Sequence, residues 1–347
     1  MTVAPPLPQH NPDLLGQSAA EAVLLRAHQS GRLPHGWLFL GRYGLGKATL
    51  AFRFARFLLA GGGESLALPP EHPVVTQVAA GSHPDLVVVE PKDPKKAGKS
   101  VRVEIDVERI RIAIDRLHRT AVGQARVLVV DQAHLLNANA ANALLKTLEE
   151  PRPGVFILLT ADASNRFPAT IHSRLAKLRL QPVAKPALRD WLVSRHAVDR
   201  HAAEVAAELA QGSPGLACWL LSADAAAHYG QLVERLAEAG AGEAGVLALA
   251  DGLDTLLRNA EVQLTVELLG RLVRRAVGQR FGEATSPLAP RESDVLHALG
   301  ARLDRLWQVW DNLARLDEEA ERLSLDRRLI LLDIAADLLG AERRRPA

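Results

Sequence analysis

Two short segments of this 347-residue chain carry side chains suited to phosphate chemistry, and each lacks a group that the full chemistry needs. Gly41-Arg42-Tyr43-Gly44-Leu45-Gly46-Lys47-Ala48 fits the spacing G-x-x-x-x-G-K. Gly41, Gly44 and Gly46 let the backbone wrap a phosphate with its N–H groups, a following helix adds a favourable dipole, and Lys47 brings a point charge to the terminal phosphates. Ala48 stands where the motif wants Ser or Thr, whose hydroxyl ligates the Mg²⁺ that bridges two phosphates. A methyl group cannot ligate a hard cation. Thr49 is rotated by about 100° along the helix and is a poor substitute. The second segment is the apolar run Val127–Val130 followed by Asp131-Gln132. Asp131 suits a metal, but the next position wants a carboxylate to activate water, and Gln132 has the shape of Glu without its basicity. Both departures strike hydrolysis and leave the phosphate cradle, so binding of ATP or ADP without hydrolysis is expected to remain open. The alternative is a Gly-rich strand-to-helix turn that binds nothing.

These residues need a scaffold, and the chain offers one. Short apolar runs at Gly36–Leu40, Leu86–Glu90, Arg126–Val130, Val155–Thr160 and Lys177–Leu180 alternate with helical patterns at 12–30, 47–59, 107–119 and 138–149. This is the pattern of a parallel sheet covered by helices, an α/β unit. The stretch 60–82 is Gly- and Pro-rich without clear period, and 92–100 is basic; both read as surface insertions. After Pro182 the strand signal stops and helical period dominates, punctuated at 212–215, 240–245 and 282–292. No fixed-period repeat is visible.

Composition excludes several classes. A formal charge of +2 demands no polyanionic partner. The single cysteine, Cys218, rules out an internal disulfide and a multi-cysteine zinc site. Every Leu-rich run is broken by Arg, Asp or Glu, so no membrane span is expected. The polar, Pro-rich first residues do not read as a signal peptide, and a cytoplasmic protein is expected. His83 and His134 have no companions at ligand spacing, so no metal is expected there.

The run His134-Leu135-Leu136-Asn137, followed by Ala141-Asn142-Ala143-Leu144-Leu145-Lys146-Thr147-Leu148-Glu149-Glu150-Pro151, resembles the signature of bacterial DNA polymerase III clamp-loader subunits. Ser82-His83-Pro84-Asp85, Ser173-Arg174 and Gly212-Ser213-Pro214-Gly215 occur in the same order as in that family. The resemblance covers residues 20–222 well, and Arg327–Asp333 resembles the last collar helix more weakly. It implies an AAA+ P-loop α/β domain (1–181), a small helical lid (182–224) and an all-α collar (225–347).

Within the family, the damaged motifs resemble delta-prime rather than the ATPase (tau or gamma) type, which would carry GKT or GKS, an Asp-Glu pair and usually a four-cysteine zinc module. No cysteine lies in 60–82, and no long tau-like tail follows the collar. The resemblance implies partners: the tau/gamma ATPase and delta subunits, with the sliding clamp and primer-template DNA reached through the complex. It also implies that Arg174 acts as an arginine finger in a neighbour's ATP site, and that Thr160 occupies the sensor position of a degenerate nucleotide site with Gly41, Gly44, Gly46, Lys47 and Asp131. Ser173-Arg174-Leu175 departs from the family's Ser-Arg-Cys but keeps the guanidinium. From the residues alone, Arg174 pairing with a local carboxylate is the simpler expectation. Pro214-Gly215-Leu216 offers no sensor arginine. Lys146 and Arg152 could meet a DNA phosphate, although exposed helical lysines are usually only solvated. No cofactor or zinc is required, and any activity would be the DNA-directed DNA polymerase activity of the holoenzyme. The competing expectations are an active P-loop ATPase of the clamp-loader or DNA-repair type, and a free-standing nucleotide-sensing module.

Overall fold

The computed structural model describes residues 6–91, 104–118, 122–162, 169–259, 262–319 and 324–341. The basic segment 92–100 lies outside the described residues. Strands β1 (Gly36–Leu40), β2 (Leu86–Val89), β3 (Arg126–Val130), β4 (Val155–Ala161) and β5 (Ala176–Arg179) form one sheet in the order β2-β3-β4-β1-β5. All four pairings are parallel. β1 and β3 are buried at every position, as continuous apolar strands covered on both faces must be. This order places β1, with the phosphate-type loop that follows it, between β4 and β5, in the parallel α/β arrangement expected from the sequence.

Helices cover both faces. On one face α2 (Lys47–Leu59) presses Phe52, Phe54 and Phe57 onto Trp37, Phe39, Val127 and Leu158. On the other, α4 (Val107–Leu117) and α5 (Ala138–Glu149) place Ile110, Leu117, Leu144 and Leu148 over Leu38, Leu128 and Ile157. Asp106 and Asn137 begin these two helices by accepting the N–H groups of Arg109 (3.0 Å) and Ala140 (2.9 Å), which supplies partners for otherwise orphaned donors.

Several sequence boundaries shift. The first helix, α1, runs Ser18–Gln29 rather than from residue 12, because Gly16 turns the chain at φ +72°, where an added Cβ would lie 2.8 Å from Val183 Cγ2. The stretch 60–82 is not merely an irregular insertion. It contains helix α3 (Pro73–Ala79), started by Pro73 and by His72 Nδ1 accepting the Val74 N–H at 3.2 Å. Leu66, Val74 and Val78 from this stretch are buried in the α2-side core. β2 stops at Val89, β4 extends to Ala161, β5 lies one residue earlier than expected, and α4 ends at Leu117.

The chain divides into two compact units. One comprises the described residues up to Leu188 with 211–216; it includes α6 (Ala169–His172) and the start of α7 (Lys185–His196). The other comprises 189–210 and the residues from 217 onward. The segment 182–224, expected as a lid, is therefore shared between the two. Its turn 211–216 stays with the α/β unit because Ser213 Oγ donates to Tyr43 O (2.8 Å) and Gly215 N–H to Gly44 O (2.9 Å).

The second unit is helical: α8 (Arg200–Ala210), most of α9 (Pro214–Ser222), then α10 (Ala225–Gly240), α11 (Val246–Asn259), α12 (Val262–Arg280), α13 (Glu292–Gly300), α14 (Leu303–Glu319) and α15 (Ser324–Leu339). Its interior holds a polar knot. Glu292, fully buried, accepts from Tyr229 Oη (2.5 Å), Arg275 Nε (2.9 Å) and the Leu288 N–H. Arg275 also reaches Glu208 (2.8 Å) and Ser286 O (2.7 Å), so one guanidinium ties the loop before α13 to three helices. Burial, and then the Glu292 charge, push the Tyr229 hydroxyl far above its ordinary pKa. No helix among the described residues is long and apolar enough to cross a membrane.

Candidate functional site

The parallel sheet brings the C-terminal ends of β1, β3 and β4 side by side, and these ends carry the sequence-predicted residues. The loop 41–46 leaves β1 through three glycines at positive φ: Gly41 (+155°), Gly44 (+75°) and Gly46 (+91°). At Gly44 the need for glycine is steric as well, since a Cβ would lie 2.4 Å from Ser213 Oγ and 2.7 Å from Leu216 N. Lys47, the first residue of α2, is 9% exposed. Its Nζ donates to Arg42 O at 2.8 Å and pairs with Asp162 Oδ1 at 2.6 Å. Thr49 is buried in the packed side of α2 and offers no replacement for the hydroxyl missing at Ala48.

Asp131 follows β3 and is joined to Thr160 on β4. Thr160 Oγ1 donates to Asp131 Oδ1 at 2.5 Å and accepts the Gln132 N–H at 3.0 Å. Thr160 is fully buried, so these bonds consume its hydroxyl and fix Gln132 in a left-handed conformation (φ 50°). Glu90, just past β2, was not singled out from the sequence. Burial and then the charge of Asp131 hold its carboxyl above the ordinary range, with Arg109 opposing. The sheet places Lys47, Asp131 and Thr160 at the neighbouring C-terminal ends of β1, β3 and β4. The site adds Asp162 and the Ser213–Gly215 turn, which local sequence did not mark as site residues. The available signal for Asp162 was a carboxylate placed directly after a buried strand at the loop's edge.

Arg174 lies elsewhere. It precedes β5, and an added Cβ on Gly36, the first residue of β1, would be 3.4 Å from its carbonyl oxygen. The cradle follows Leu40, the last residue of β1, so the length of the strand, roughly 16 Å at about 3.3 Å per residue, separates the two. The Arg174 guanidinium pairs with Glu149 Oε1 (2.7 Å) and donates to Thr170 O (2.9 Å) and Ser173 Oγ (3.2 Å). A local carboxylate therefore does hold it, but the side chain stays 34% exposed. Of the two candidate DNA contacts, Lys146 is exposed on α5, and Arg152 donates to His118 O at 2.9 Å. Among the described residues no group of His, Cys, Asp and Glu is arranged to hold a metal.

The family described as "DNA polymerase III, delta subunit" matches residues 16–184. The DNA polymerase III subunit delta' of Pseudomonas aeruginosa is 33% identical over 159 residues, 46% of this chain and 46% of its own length. Over these residues the α/β portion is similar to clamp-loader subunits. The clamp-loader relatives include both types: the DNA polymerase III subunit gamma of Buchnera aphidicola is 29% identical over 187 residues, 53% of this chain and 49% of its own. The chain thus matches about half the length of these curated relatives. A DNA polymerase III gamma-subunit-related protein from Thermotoga maritima has a TM-score of 0.47 and 17% identity, covering 93% of this chain and 100% of that one.

Proposed function

We propose that the protein is a delta-prime-type clamp-loader subunit that does not hydrolyse ATP and completes the active site of a neighbouring ATPase subunit through Arg174. The observation that carries this reading is positional. Arg174 sits at the opposite end of β1 from the chain's own phosphate loop, held where it cannot serve that loop but is open to a neighbour. A planar, permanently charged guanidinium suits charge that develops on a transferred phosphoryl group. Ala48 and Gln132 support the non-hydrolysing half of the proposal, because metal and water are both left without their usual ligand and base.

The proposed partners are the tau/gamma ATPase and delta subunits, with the sliding clamp and primer-template DNA engaged through the complex in the cytoplasm. The lid and collar roles of the helical residues belong to the same proposal. Trp307 and Trp310, one turn apart on α14 and 72% and 47% exposed, give the helical unit an aromatic face suited to partner subunits. The test is ATP turnover by the cognate ATPase subunit with delta, clamp and primed DNA, comparing the wild type with Arg174→Ala. The mutant is expected to assemble normally and lose about 10³-fold of the stimulated rate. Equal stimulation by both forms would reduce the protein to a scaffold, and failure of the wild type to associate would remove the clamp-loader role. Since gamma-type relatives match as well, the second reading is an active ATPase. It requires turnover by the isolated chain that disappears in Lys47→Ala.

A further inference from the structure

The phosphate loop of this chain is already neutralised from within. Lys47 is the cradle's buried cation, while Arg42 in the same loop is exposed and donates to Gln211 Oε1 at 3.1 Å; the Lys47 ammonium meets Asp162 Oδ1 at 2.6 Å and Arg42 O at 2.8 Å. The lysine is 9% exposed, so its charge is largely removed from water, whereas Asp162 is 43% exposed. A partly buried ammonium needs an anion, and a terminal phosphate would have to displace the carboxylate to reach it. The loop's shape is fixed as well. The carbonyls of Tyr43 and Gly44 accept from Ser213 Oγ (2.8 Å) and the Gly215 N–H (2.9 Å). The approach is close enough that a Cβ on Gly215 would lie 2.9 Å from Gly44 Cα.

We propose that Asp162 stands in for a phosphate at Lys47, so that nucleoside polyphosphates compete with the chain's own carboxylate and Asp162 sets the affinity of the site. This rests on reading 41–47 as a phosphate loop, and it is independent of Arg174 and of any partner. Lost hydrolysis and weak binding then have separate origins: hydrolysis is limited by Ala48 and Gln132, and occupancy by Asp162. The exposed carboxylate can swing away, whereas the lysine, anchored also to Arg42 O, stays in place to receive the replacement anion.

Calorimetric titration of the full chain with ADP, and separately with inorganic pyrophosphate, tests the proposal. Asp162→Asn is expected to bind both at least about tenfold more tightly than the wild type, the scale on which a carboxylate beside a cationic site competes. Adding Lys47→Ala to that variant should abolish the gain. Equal affinity of wild type and Asp162→Asn, whether tight or undetectable, would overturn the proposal, as would a gain that survives loss of Lys47. Cooperative thermal melts of Asp162→Asn and of the double variant would exclude a folding artefact. Because these titrations contain no partner subunit, failure to stimulate a clamp-loader ATPase would leave their result intact, and the converse also holds.

Discussion

Lys47 and Arg174 are both cations held by carboxylates at opposite ends of the same sheet, yet their surroundings commit them differently. The Lys47–Asp162 pair puts a 9%-exposed ammonium against its partner; the Arg174–Glu149 pair leaves the two side chains 34% and 44% exposed. A cation removed from water cannot give up its anion without a substitute, whereas a solvated pair contributes only about 0–1 kcal/mol and exchanges readily. The first region is therefore closed on itself and the second is available. That contrast matches the division of labour proposed here, in which the chain's own cradle is quiet and its arginine acts elsewhere.

A third pair marks the buried limit of the series and gives the largest expected effect. Asp85 is 1% exposed at its side chain and accepts from Arg126 Nε (3.1 Å) and the N–H groups of Val122 (3.1 Å) and Gly123 (2.8 Å). Asp85→Ala strands a buried guanidinium and two backbone donors, so it should cost about 3–5 kcal/mol in chemical denaturation. A loss below 1 kcal/mol would show that burial does not rank these pairs as argued.

Strands and site residues differ in how far the sequence exposes them. Gly36–Leu40 and Arg126–Val130 are legible because strands buried on both faces must be continuous apolar runs, and Gly or Asp punctuates their ends. The cradle is legible because a loop that crowds a phosphate needs glycines at fixed spacing. Its partners are not. Asp162, Ser213 and Gly215 reach Lys47, Tyr43 and Gly44 only after the chain has folded, and no local period announces such contacts. The same holds for Tyr229, Arg275 and Glu292, which lie on separate helices whose apolar stripes hide the polar knot they enclose. Helix α3 was recoverable: Pro73 preceded by His72 is a start signal, outweighed by the Gly- and Pro-rich stretch around it.

The smallest effect is also the most discriminating. Glu149→Ala removes the carboxylate that holds Arg174 in the free protein but leaves the Thr170 carbonyl and the Ser173 hydroxyl as its partners. Stability should fall by no more than about 1 kcal/mol, because the pair is well solvated. If the arginine must leave Glu149 to meet a neighbour's phosphate, the variant should stimulate partner turnover as well as the wild type or slightly better, and the gain should shrink as salt weakens the competing pair. If Glu149 instead aims the guanidinium, stimulation should drop while stability barely changes. The two measurements together separate a carboxylate that merely holds the arginine from one that positions it.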